Sequence, residues 1–160
     1  MQCHTARCLP GPGLRTSLTV SYNGRMEWSD LITPGAAREL EFMVEEAHSA
    51  IHIGSGSHRV LASPWMITFM ERAARLLLAD LLPSGYSSVG VHVDIRHLAP
   101  TPVGGMLRVR AEVLAVENAK VKFSVQAADQ VEPVGAGFHE RVIIEEERFL
   151  RRVARKNQAG

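Results

Sequence analysis

Three side chains have the types and spacing that chemistry would need: Ser63, Glu71 and His97. Ser63 and Glu71 belong to the apolar stretch SPWMITFMERAARLLLADLLPSG, in which Ser63-Pro64 reads as a helix start. A serine accepts a hydrogen bond from a free first-turn N–H, and proline at the first helical position loses nothing. Glu71 follows eight residues later, with Ile67, Thr68, Met70 and Ala74 as its neighbours on the helix face. A carboxylate among apolar groups is unusually placed, and acid/base or nucleophilic work needs such a group. Its ordinary reading is an ion pair with Arg75, four residues on. His97 closes a later strand, just before the loop LAPTPVGG. His92 and Asp94 share one face of that strand, and His139, Glu140 and Arg141 sit in the last one. No metal spacing such as HExxH occurs, so no metal is expected. Residue types alone supply a serine, a glutamate and a histidine, and nothing in their spacing makes them converge.

The elements that must position these groups are legible as periodicities. RELEFMVEEAHSAIHI opens as a strand, with Leu40, Phe42 and Val44 alternating against Glu41, Met43 and Glu45. GSGSHR breaks regular structure, the long helix follows, and Pro83-Ser84-Gly85 stops it. Four strands come next: SSVGVHVDIRHL, MLRVRAEVLAVE, KVKFSVQAAD and VGAGFHERVIIE. Asn118-Ala119 suits a tight hairpin between the middle two. A short helix from about Glu145 to Lys156 ends the chain, with acids first and bases last, as the helix dipole favours. Helices that do not alternate with strands argue against a parallel sheet. The expected fold is α+β: a five-stranded antiparallel sheet wrapped around one long central helix. That helix carries apolar residues on most sides, which predicts burial all round. Five strands leave one of its flanks open, and dimerisation would cover it.

The chain has 160 residues, 18 basic and 17 acidic side chains and a net charge of +1. One domain is expected, and no global field recruits nucleic acid. Both cysteines, Cys3 and Cys8, lie in the first ten residues, which excludes a disulfide framework and fits a reducing cytoplasm. No apolar run approaches the roughly 20 residues of a membrane span. Residues 1–35 are rich in turn formers, hold no acid before Glu27, and are assigned as an extension outside the fold, with Met26 as an alternative start. The domain is placed at 36–160.

Three segments resemble a known family, the hot-dog-fold acyl-CoA thioesterases related to fluoroacetyl-CoA thioesterase. They are ASPWMITFMERAA, VGVHVDIRHLAPTPVGGMLRVRAEV and VGAGFHERVIIEEERF. The spacings, eight residues from hydroxyl to glutamate and 34 from Ser63 to His97, look the same as in the family. The resemblance covers about residues 38–156. It implies a hot-dog fold, a homodimer with active sites at the subunit interface, and a catalytic set falling on Ser63, Glu71 and His97. The family hydroxyl is a threonine in its best-known member, so Ser63 keeps the chemistry and loses a methyl. Gly90 falls where the family places a glycine beside the acyl group, and Arg141 matches the arginine of its H-E-R run. Arg141 has two readings, a CoA-phosphate ligand or a structural partner of a carboxylate, with the second favoured. Trp65 and Met66 are assigned to the acyl pocket, although helical spacing also fits plain core. HIGSGSHRV lacks the lid phenylalanines of the fluoroacetyl-specific enzyme, so the expected substrate is a short or modest acyl-CoA, hydrolysed to free acid and CoA. No cofactor is expected beyond the CoA of the substrate. The alternatives are an enoyl-thioester hydratase on the same scaffold and a non-catalytic acyl-CoA binding module. Pairing of dimers into a tetramer is left open.

Overall fold

The structure is a computed structural model that describes residues 27–157. Its elements are a 3₁₀ turn at Trp28–Asp30, β1 (Ala37–Met43), a 3₁₀ turn at Glu46–His48, α1 (Ser63–Leu81), β2 (Tyr86–His97), β3 (Met106–Glu117), β4 (Lys120–Ala128), β5 (Pro133–Glu145) and α2 (Glu146–Asn157). The strands form one antiparallel sheet in the order β1-β3-β4-β5-β2, with α1 packed on one face. This is the expected α+β architecture.

Alternation decides which side chains meet α1. Leu107, Val109, Ala111 and Val113 of β3 are buried, as are Val121, Phe123, Val125 and Ala127 of β4. Their charged neighbours Arg108, Arg110 and Lys122 point to solvent. Each fully buried large apolar side chain contributes about 1.5–3 kcal/mol relative to exposure. Asn118 turns the β3–β4 hairpin in the left-handed region, at φ 54°, which asparagine tolerates.

Two expectations need correction. The central helix is not buried all round. Its buried residues Met66, Phe69, Met70, Ala73, Ala74, Leu77 and Leu78 recur at three and four, a single stripe, and the opposite face exposes Thr68, Arg72 and Arg75. The fold also begins before Ala36. Ile32 is fully buried, and Trp28 meets Tyr86 edge-on at 4.9 Å. Residues 28–32, assigned to the extension, therefore pack on the domain, with Ile32 in its core; residues 1–26 lie outside the described residues.

β2 positions the site. It is an edge strand, and its ladder to β5 shifts register between Gly90 and His92. Such a bulge adds one residue and reverses which parity faces inward. Before it Ser88 and Gly90 face α1; after it Ile95 and His97 do. Without the bulge, Gly90 and His97 would lie on opposite faces.

Candidate functional site

Ser63 is the first residue of α1, and Ala62 is the N-cap, so the serine side chain does no capping. Its hydroxyl instead hydrogen-bonds Nδ1 of His97 at 2.8 Å. The prolyl loop brings the two together. The Leu61 N–H donates to the Thr101 carbonyl, and the buried Thr101 hydroxyl donates to Asp129. Asp129 also accepts from the Val131 and Glu132 amides, and these amides hold its carboxyl below the usual range. Ser63 is exposed, whereas Nε2 of His97 is enclosed without a hydrogen-bond partner among the described residues. Burial lowers the His97 pKa, with the Ala99 backbone pulling the other way, so the imidazole is neutral near pH 7. The amides of Trp65 and Met66 both donate to the Ala62 carbonyl. Of the first-turn amides, the Ser63 N–H is the one left to meet an oxyanion.

Glu71 sits elsewhere. Its side chain is 38% exposed, and Oε1 lies 3.5 Å from Nε2 of His139 and 3.9 Å from Nη1 of Arg141. Gly90 makes room for it: a Cβ there would stand 2.5 Å from Oε1 and 3.1 Å from the His139 ring. His139 is fully buried, its Nδ1–H donates to the His92 carbonyl at 2.9 Å, and burial lowers its pKa. Arg141 donates from Nε to the Ser88 hydroxyl (2.9 Å), from Nη2 to the Ser88 carbonyl (2.8 Å) and from Nη1 to Nε2 of His139 (3.2 Å). Burial pushes its pKa down too, and Glu71 counters this. A guanidinium this committed is a structural partner of the carboxylate rather than a free phosphate ligand.

Ser63 with His97, and Glu71 with Gly90, His139 and Arg141, are thus two separate clusters. Eight helical residues place Ser63 and Glu71 about 12 Å apart along α1. Glu71 has no ion-pair contact with His97 among the described residues. Within one chain these two groups do not meet, and the resemblance places the active sites at the subunit interface. Met66, expected in the acyl pocket, is fully buried, and its sulfur occupies the space a side chain at Gly135 would need. Trp65 packs at a tilt in an aromatic cluster with His48 (4.5 Å) and Phe69 (5.8 Å). Met66 belongs to the stripe that buries α1, and the half-buried Trp65 packs against that core. Ser88 was not among the sequence candidates, and His139 was named there without a role. Period-two alternation would have found His139, since it shares the inward face of β5 with Arg141. No group of three or more His, Cys, Asp or Glu arranged for a metal occurs among the described residues, and none of their helices is long and apolar enough to cross a membrane.

A sheet curled on one long helix, with polar clusters where β2 meets that helix, defines a hot-dog-fold protein. The model of the fluoroacetyl-CoA-specific thioesterase family matches residues 44–147, and the chain belongs to that family of thioester hydrolases. It is 37% identical over 101 residues to the fluoroacetyl-CoA thioesterase of Streptantibioticus cattleyicolor, covering 63% of this chain and 73% of that protein. A solved threonine-to-serine variant of fluoroacetyl-CoA thioesterase, in complex with acetyl-CoA, superposes with a TM-score of 0.74 at 31% identity, over 78% of this chain and 98% of the other. A hot-dog-like protein from Thermanaerovibrio acidaminovorans gives a TM-score of 0.77 at 26% identity, over 82% and 97%.

Proposed function

We propose that the protein hydrolyses a short or modest acyl-CoA thioester to the free acid and CoA, as a cytoplasmic homodimer whose sites are shared between copies. The observation that carries this is Glu71, a half-exposed carboxylate that lies over the bare backbone of Gly90, 3.9 Å from the buried Arg141 guanidinium and beside the buried His139 ring. Glu71 takes a proton from water as the water oxygen adds to the thioester carbonyl carbon. The oxyanion meets the N–H and hydroxyl of Ser63, beside the positive end of α1. Collapse breaks the C–S bond, and the departing thiolate takes the proton back from Glu71. His97 acts through Ser63, because its free nitrogen is enclosed and the serine hydroxyl is exposed.

One substrate must touch both clusters, so a second copy supplies the missing half. β2 carries no neighbour on its outer side among the described residues, and it exposes Val91 (54%) and Val93 (41%) there. An exposed apolar edge strand pairs readily. A two-fold axis near the middle of the stretch 90–97 would set Gly90 of each copy about opposite His97 of the other, and cross-strand partners face the same side.

The test is thiol release from acetyl-, fluoroacetyl-, aryl- and medium-chain acyl-CoA, with crotonyl-CoA hydration followed in parallel. Glu71→Gln keeps the shape and removes the base, and turnover should fall about 10²–10⁴-fold. Unchanged turnover rejects the assignment. A strong preference for one unusual acyl group would mark a detoxifying role.

A further inference from the structure

We propose that a basic cleft at the far end of β2 and β5 binds a phosphorylated adenosine nucleotide, supplied as the nucleotide end of the substrate's CoA; the substrate part of this rests on the thioesterase reading above. The cleft measures about 740 Å³ and lies between Trp28, the first residue of β2, the last residues of β5 and α2. That volume suits a small-molecule ligand.

Its charge is concentrated. Arg148, Arg152 and Arg155 border the cleft at spacings of four and three, hence on one face of α2. All three are exposed, and none has a carboxylate within 4 Å among the described residues. Arg151 also borders the cleft but is paired with Glu147 at 3.2 Å. Like charges in such a row repel and weaken the helix, and an anionic ligand relieves that repulsion. Guanidinium groups match phosphate bidentately. One carboxylate, Glu145, lines the cleft and opposes an anion, against three unpaired guanidiniums. The other wall is aromatic. Trp28 stands edge-on to Tyr86 at 69°, and the half-buried Phe149 follows Arg148. Ring faces of this kind stack purines with little regard to sequence.

The position fits a substrate that starts at Glu71. Tyr86 precedes Gly90 by four residues on the same face of β2, about 13 Å along the strand. A thioester at Glu71 with its pantetheine arm laid along β2 carries its phosphates toward α2. Trp28 and the arginines of α2 lie outside the residues that match the family, so the cleft is built largely from segments flanking the shared domain.

The variant is Arg152→Ala/Arg155→Ala, on an exposed helix face, with Arg152→Lys/Arg155→Lys as the charge-preserving control and thermal unfolding to check the fold. Calorimetry with CoA, adenosine 3′,5′-bisphosphate and ATP reads binding without turnover. Binding of CoA and the bisphosphate should weaken about tenfold in the alanine variant, the loss expected for two exposed ion pairs, and recover with lysine. KM for the best acyl-CoA should rise by the same factor at constant kcat, and KM for the same acyl group on pantetheine should not move. Equal affinity of wild type and variant for CoA overturns the proposal. ATP binding more tightly than CoA overturns the substrate-end assignment in favour of a free nucleotide. Nucleotide binding that depends on these arginines in a protein without thioesterase activity supports the cleft and defeats the thioesterase reading alone.

Discussion

Mixing two inactive variants, Glu71→Gln and His97→Ala, tests whether the reaction uses one chain or two. The structure fixes the expected result. Ser63 and Glu71 are about 12 Å apart along α1, and Gly90 and His97 are separated by about 20 Å of strand. A reacting carbonyl must lie within about 3–3.5 Å of each group that acts on it. No single-chain site satisfies that for both clusters, so the proposed shared site draws one cluster from each chain. Each variant alone should lose about 10²–10⁴-fold in turnover. Equal amounts, exchanged through unfolding and refolding, give mixed dimers as half of the total. Each mixed dimer has one site with both residues intact and one with neither, so activity should return to about one quarter of wild type. Thiol release from the preferred acyl-CoA reads it directly. Activity that stays at the sum of the two parents refutes the shared site. Giving the two variants different affinity tags and recovering both on either tag excludes failed exchange as the cause.

Gly90→Ala places a methyl 2.5 Å from the Glu71 oxygen and should displace that flexible side chain, cutting kcat at least about tenfold with a small fall in Tm. Arg141→Lys leaves Ser88 and His139 with unmet hydrogen bonds and should cost about 1–3 kcal/mol in denaturant unfolding. His139 is held neutral by burial, with its folded pKa below the unfolded value of about 6.5. The unfolded chain therefore binds the extra proton, and stability contributed by the neutral imidazole is complete above about pH 6.5 and is lost on acidification below it, by at most about 1.4 kcal/mol per pH unit. His139→Gln should flatten the dependence of Tm on pH between about 5 and 6.5. Ile32→Ala should cost about 2–5 kcal/mol, as for any buried isoleucine, and no measurable change would return residues 28–32 to a dispensable extension.

The sheet was legible because solvent and core impose a period of two on β4 and on β3 as far as Val113, where a register shift ends it. The start of α1 was legible from Ser63-Pro64, but the role of Ser63 was not. A serine at a helix tip reads as a cap until a second element brings a side-chain partner, and His97 arrives only through the loop that Thr101 and Asp129 hold. The N-terminal boundary was missed for a related reason. Trp28, Leu31 and Ile32 are a few apolar residues just before Pro34-Gly35, with no period to declare that they pack against β2 and the core.

Residue spacing along the chain gave the three chemical groups without giving their distances. Eight residues of helix are a length, and that length separates Ser63 from Glu71 whatever the substrate. The bulge in β2 then does what a regular strand would not: it turns His97 to the face that already holds Gly90. One insertion in the ladder thus puts both clusters on the same side of an edge strand, at opposite ends of its unpaired stretch. In the proposed dimer, a two-fold through that stretch would superimpose the end that has the carboxylate on the end that has the hydroxyl and imidazole. The edge that leaves Val91 and Val93 in water is then the element that would join the two half-sites.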